Sequence, residues 1–165
     1  MDAGSLYRQH AAAVLGYLRA QGVPDPEDLL SEVFLQVARS LPRFRGTEDE
    51  VRSWLFTIAR NRAIDDRRRR RARPPVAGHV KPDGSDHATV VDPEPVDGQL
   101  VEALGRLTAD QRDVVVLRFV ADLSLDEVAR ITGRPSGAVK SMQHRALAQL
   151  ARILADPACA VEGDG

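Results

Sequence analysis

Lys140, Ser141, His144 and Arg145 recur along one side of a predicted helix, while Val139, Met142, Ala146, Leu150 and Ile153 fall within one stripe at about 100° per residue. One face packs and the other is free to read. Cationic and hydrogen-bonding side chains near the start of such a helix suit a DNA major groove, where base edges and phosphates both present acceptors. The segment before it has the matching punctuation. Ser124 and Glu127 make a Ser-x-x-Glu capping box, so a short helix starts at Leu125. Gly133 stops it by taking the left-handed conformation, Pro135 blocks continuation, and Ser136 is an N-cap for the next helix. The stretch Ser124 to Leu150 therefore reads as a helix-turn-helix. Spacing alone leaves two readings open, a DNA reader or an ordinary helical hairpin with a solvated polar face.

A second concentration of charge lies far upstream. From Arg60 to Arg73 the chain carries eight arginines against Asp65 and Asp66, which hides beneath a formal net charge of -1 because Asp83 to Asp97 is acidic. Guanidinium groups suit bidentate phosphate contact. An arginine run by itself is often only a solvated or loosely nucleic-acid-attracting tail. Here it continues a packed helix, so its neighbours Asn61 and Asp65 are held at fixed positions beside a phosphate backbone.

Other chemistries find little support. His10, His79, His87 and His144 are scattered, and no HExxH, Gly-rich phosphate loop or GxSxG elbow occurs, so a non-enzyme without cofactor or metal is expected. Glu48, Asp49 and Glu50 are acids in the first turn of a helix, where the macrodipole explains them more simply than a metal does. The one cysteine, Cys159, excludes an intrachain disulfide and a Cys-based zinc site. No stretch approaches the roughly 20 apolar residues of a membrane span. The N-terminus also lacks a basic start followed by an apolar signal core, and a cytoplasmic protein is expected.

The elements that must position these groups are all helical. Leu6, His10, Val14 and Leu18, with Tyr7 and Tyr17, predict a first helix from about Ser5 to Ala20. Asp25 as N-cap and Pro26 at the first helical position open a second, whose Leu29, Val33, Phe34, Val37 and Leu41 face inward. Opposite that stripe Asp28, Glu32 and Gln36 form an acidic ridge, either a solvated face or a dock for a basic partner. A third helix begins near Thr47 and runs into the arginines, with Val51, Trp54, Leu55 and Ile58 as its buried stripe and Trp54 read as core. Pro74 to Asp97 holds five of the 10 prolines and no apolar period, which predicts a flexible linker. Leu100, Leu104 and Leu107 mark a short helix. Thr108 and Gln111 then make a second capping box ahead of the apolar VVVLRFV. The expected fold is all-α, with two small helical domains at 1–73 and 98–155, a linker at 74–97 and a loose tail at 156–165.

Taken in order, three stretches resemble the small two-domain, extracytoplasmic-function sigma factors of bacterial RNA polymerase: DPEDLLSEVFLQVARSLPRFRG, RSWLFTIARNRAIDDRRRRR and LTADQRDVVVLRFVADLSLDEVARITGRPSGAVKSMQHRAL. The resemblance spans nearly the whole chain. It implies that Asp28, Leu29, Glu32 and Phe34 meet core polymerase, through its β′ clamp helices, with the β subunit a further partner. It implies that Phe44, Arg45, Gly46, Arg60, Asn61, Arg62, Asp65 and Arg67 recognise and open the minus-ten promoter element. It gives the minus-thirty-five element to Ser136, Lys140, Ser141, Gln143, His144 and Arg145. Promoter DNA and an anti-sigma protein become expected partners, and the linker is expected to thread the RNA exit path. At Met142 and Gln143 the chain departs from the Arg-Leu pair common in the family, which bears on base preference. A stand-alone helix-turn-helix repressor or activator, with the arginines as a non-specific anchor, is the alternative reading. It would bind a palindromic operator as an unaided dimer.

Overall fold

The computed structural model describes residues 1–73 and 97–156, and among these every regular element is a helix. The predicted linker at 74–97, apart from Asp97, and the tail beyond Asp156, including Cys159, lie outside the described residues. Helix α1 (Ala3–Ala20) starts at Asp2, whose carboxylate accepts from the Ser5 N–H at 3.0 Å. It ends at Gly22, where a φ of 75° turns the chain sharply into α2 (Pro26–Ser40). A single 3₁₀ turn (Leu41–Arg43) and a short loop lead to α3 (Glu48–Ala72), the longest helix described. Its start is fixed by a capping box, in which the Thr47 N–H donates to Glu50 Oε2 at 2.8 Å.

After the undescribed segment come α4 (Gly98–Gly105) and α5 (Ala109–Val115), the latter opened by the predicted Thr108–Gln111 box. The apolar run then widens into one π turn (Val116–Val120), a departure from the plain helix its composition predicts. Helices α6 (Leu125–Thr132) and α7 (Ser136–Ala155) follow, joined by Gly133 at a φ of 68°. The Ser124–Glu127 box forms as predicted, with Glu127 N–H to Ser124 Oγ at 3.2 Å and Ser124 N–H to Glu127 Oε2 at 2.7 Å. Ser136 is not the N-cap. Pro135 takes that place, and the Ser136 hydroxyl donates to Asp126 Oδ1 at 3.0 Å, tying the two helices across the turn.

The two halves do not keep separate cores. Val14, Leu18, Leu55 and Phe56 from the first and Leu104, Val116, Leu117 and Leu123 from the second belong to one continuous buried cluster. Gly16 of α1 is buried, and a Cβ there would stand 3.6 Å from Val120. The two helical domains expected from the sequence pack on one another, the second against α1 and α3.

Candidate nucleic-acid interface

The loop before α3 is built around Gly46. A Cβ there would stand 2.4 Å from Phe44 Cζ, so only glycine lets the Phe44 ring fold back over the chain. That ring rests on Trp54, with centroids 4.7 Å apart. Trp54 is only partly buried rather than core. Together with Phe44, Arg45, Gly46 and Thr57 it lines an open cleft of about 310 Å³, whose remaining wall includes Arg130 and Ile131 of α6. Two aromatic rings beside a glycine loop and an exposed guanidinium are what an extruded base can stack on.

Along α3 the predicted DNA-binding residues separate into distinct environments. Asn61 and Asp65 are exposed. Arg62 donates to Gln36 Oε1 at 3.0 Å, and Arg45 donates to the carbonyls of Pro42 and Phe44 at 3.0 and 3.1 Å. Arg67 is half-buried, in a cleft it shares with Arg70, Arg71 and Arg112. Arg60 points into the second half of the chain and pairs with Asp113 of α5. Burial alone would lower the Arg60 pKa, but the Asp113 carboxylate outweighs it and the net shift is upward. Asp113 also accepts from the Tyr17 hydroxyl and the Gln21 amide, each at 3.2 Å. Tyr17 is fully buried, and burial, reinforced by Asp113, holds its phenol well above the ordinary value, so it stays a donor.

The acidic ridge of α2 also divides. Leu29 and Phe34 are buried, Phe34 edge-on to Tyr7 at 4.9 Å, whereas Asp28 is exposed and Glu32 pairs loosely with Arg69 at 3.5 Å. Of the four residues assigned to polymerase, only the two carboxylates face outward, beside the exposed Leu35.

Helix α7 keeps the two faces its sequence describes. Val139, Ala146 and Leu150 are buried, and Ser136, Lys140, Ser141, His144 and Arg145 are exposed together. Gln143 departs from them, being half-buried with its amide oxygen enclosed and without a hydrogen-bond partner. Among the described residues no group of His, Cys, Asp and Glu is arranged to hold a metal ion. No described helix is long and apolar enough to cross a membrane.

Sequence reasoning missed Gln21, Arg52 and Asp113 as partners across the halves. Arg52 donates to the carbonyls of Ala121 and, at 3.0 Å, of Asp122, neutralising the C-terminal end of the π turn. One signal existed: Asp113 is a carboxylate immediately before the apolar VVVL, at a position that must be buried and therefore paired.

Residues 6–73 match the family model for Sigma-70 region 2, and residues 97–150 match that for Sigma-70, region 4. The ECF RNA polymerase sigma factor BldN of Streptomyces coelicolor is 36% identical over 165 residues; the alignment covers 94% of this chain and 61% of that protein. The ECF RNA polymerase sigma factor RpoE of Cereibacter sphaeroides is 33% identical, with 88% and 82% covered. Among solved structures, CnrH in complex with the cytosolic domain of CnrY shares the fold at a TM-score of 0.68 and 24% identity, over 99% of this chain and 89% of that one. RpoE of Bartonella quintana, in complex with the anti-sigma factor NepR, aligns at a TM-score of 0.63 and 26% identity, over 90% and 96%. The two basic helices thus stand in segments matching sigma regions 2 and 4, in that order, and the chain belongs to the ECF RNA polymerase sigma factors rather than to the stand-alone helix-turn-helix regulators.

Proposed function

We propose that this chain binds core RNA polymerase in the cytoplasm and directs it to promoters, with residues 1–73 serving the minus-ten element and 98–155 the minus-thirty-five element. The observation that carries this reading is the presence in one chain of two separate basic helices, α3 and α7, each with an exposed polar face. A phosphate contact positions and a base contact specifies, so two such helices fix both register and sequence along a duplex.

The roles divide by chemistry. Lys140, Ser141, His144 and Arg145 reach base edges and phosphates upstream, with Ser136 at the helix start and Gln143 supporting the helix from its inner side. Phe44, Arg45 and Gly46 with Trp54 form the platform for a base taken out of the stack. Asn61, both donor and acceptor, hydrogen-bonds it, while Arg60, Arg62 and Arg67 take phosphates and Asp65 limits where the backbone sits. Asp28 and Glu32 dock against a basic surface on the polymerase clamp, with Leu29 and Phe34 holding that helix from beneath. An anti-sigma protein is a further partner, supported by the likeness of this chain to RpoE of Bartonella quintana, whose structure is a complex with the anti-sigma factor NepR. Catalysis belongs to the polymerase, and this chain supplies recognition only.

Mixing purified chain with core polymerase and a duplex promoter tests the reading. Run-off transcripts that require both proteins support it. Tight operator binding by the chain alone, with no transcript when core is added, would overturn it.

A further inference from the structure

At one end of the seam between the halves, positive charge gathers without matching acid. Arg67, Arg70 and Arg71, toward the C-terminal end of α3, line an open cleft of about 270 Å³ together with Arg112 of α5. Of these four, only Arg70 makes an ion pair among the described residues, with Asp66 at 2.9 Å. Arg112 gives its Nε to Gln21 Oε1 at 3.1 Å. Among the described residues its terminal nitrogens have no acceptor, and neither have Arg67 and Arg71. The rest of the wall supplies no carboxylate, since it comes from Gln21 and its neighbours at the end of α1 and from Val101 and Gly105 of α4.

Helix ends do not account for this gathering. The macrodipole favours cations in the last turn of a helix, which explains Arg70 and Arg71 on α3. It gives no reason for α5 to turn Arg112 into the same cleft, against like charge. Burial first, and then the Arg67 guanidinium with Arg71 beyond it, hold the Arg112 pKa below its ordinary value, although Asp113 pulls the other way. Cations held together in this way are relieved by an anion that enters among them. Guanidinium forks take phosphate oxygens in pairs, so the cleft offers more donors than one singly charged group can use. Sites for whole small molecules enclose about 300–1,000 Å³ and are lined mainly by apolar and aromatic side chains. This cleft is smaller and has no aromatic lining residue, so it gives a base no surface to stack on.

We propose that the cleft between α3 and α5 is a binding site for a condensed phosphate, an anion with two or three phosphoryl groups in a row, held by Arg67, Arg71 and Arg112 with Arg70 beside them. The anion is recognised through its phosphates, whether free or carried on a nucleoside. This site goes beyond promoter recognition and needs neither polymerase nor DNA. Because its wall comes from both halves, a bound anion bridges them and stabilises the folded chain by mass action.

Isothermal titration calorimetry of the full chain with inorganic triphosphate, at fixed ionic strength, tests the site. Binding about tenfold or more tighter than that of inorganic monophosphate is expected, since each added hydrogen bond to a charged group is worth about that factor. Adenosine triphosphate should bind about as well as the inorganic anion. Triphosphate should also raise the thermal midpoint of the chain. Arg112→Gln and Arg71→Gln should each weaken triphosphate binding about tenfold. Arg68→Gln, which removes the same charge from an exposed residue outside the cleft, should leave it unchanged. Arg71 is itself exposed, so its variant keeps the test open if Arg112→Gln does not fold. Equal losses in all three variants would reduce the cleft to general electrostatic attraction and overturn the site, as would a parent chain that does not bind triphosphate. A strong preference for the nucleotide would overturn recognition through phosphates alone. A single-stranded oligodeoxynucleotide that loses affinity in Arg112→Gln, while triphosphate does not, would assign the cleft to nucleic acid instead. Failure of run-off transcription removes the proposed function and leaves each of these binding outcomes intact.

Discussion

Tyr17 and Asp113 lie 96 positions apart in the chain and are joined by a hydrogen bond of 3.2 Å from the phenol to the carboxylate. The Tyr17 ring packs edge-on to Phe56, with centroids 5.8 Å apart, so one residue serves both the apolar core and the polar seam. Tyr17→Phe should separate these contributions. It keeps the ring and leaves Asp113 short of one donor, with a loss of about 1–1.5 kcal/mol expected in urea unfolding. Tyr17→Ala should lose about 3–5 kcal/mol because the ring itself goes. Equal losses for the two would show that the hydroxyl, not the ring, holds that site.

Charge reversal at Asp28 and Glu32 should weaken core-polymerase binding with little effect on folding. Asp28 is exposed, and the Glu32–Arg69 pair spans 3.5 Å between largely solvated side chains. Such a pair contributes about 0–1 kcal/mol. Thermal melts and a polymerase pull-down titration check both halves of the statement. Undiminished affinity in the double variant would remove this docking surface.

In α7, Lys140→Ala and Arg145→Ala should each lower affinity for the upstream element, by about 1–3 kcal/mol where a base contact is lost. Gln143→Ala should behave differently. Its amide oxygen is enclosed and unpaired, so truncation relieves a buried polar group and should leave the upstream footprint in place. Footprints of holoenzyme with each variant make the comparison.

Gly46→Ala is the sharpest test of the loop. The added Cβ would stand 2.4 Å from Phe44 Cζ, so the ring must leave Trp54. A shift in Trp54 emission should accompany loss of promoter opening, while binding to core polymerase persists. Unaltered emission would show that the loop accommodates the methyl group by another route.

Much of this architecture was legible because its signals are local. The capping boxes at Ser124 and Thr108 formed where Ser-x-x-Glu and Thr-x-x-Gln stood, and Gly133 took the left-handed turn that its place after Thr132 required. The exposed edge of α7 followed from the helical period, since Val139 and Ala146 had to be inside. What escaped was non-local. Trp54 lay on the apolar stripe, but a stripe does not say whether the far end of a ring meets the core or a loop, and Phe44 decided the matter. The Asp113 carboxylate that pairs with Arg60 stands 53 positions further on, and a run of arginines gives no hint of such a partner. Gln143 sat one step from the reading edge, where a 100° rotation was enough to turn its amide inward.

Strand capture separates the proposed roles of Asn61 and Arg60. Asn61 is exposed and free of the seam, so Asn61→Ala should keep the fold and polymerase binding. It should reduce open-complex formation on duplex promoters, with a smaller defect on templates already mismatched across the minus-ten element, because opening costs roughly 1.4 kcal/mol per base step. Permanganate reactivity of the separated strand, compared on both templates, reads this directly. Equal reactivity for variant and parent on the duplex would show that capture does not depend on Asn61.

Under the proposed function this chain selects start sites for core polymerase by two DNA contacts made at once. Transcribing sheared genomic DNA with core polymerase, with and without the chain, and sequencing the 5′ ends tests it most directly. Chain-dependent start sites that share two short upstream elements at a fixed spacing are expected. Start sites unchanged by the chain, or shared upstream sequences that it binds equally well without polymerase, would contradict it.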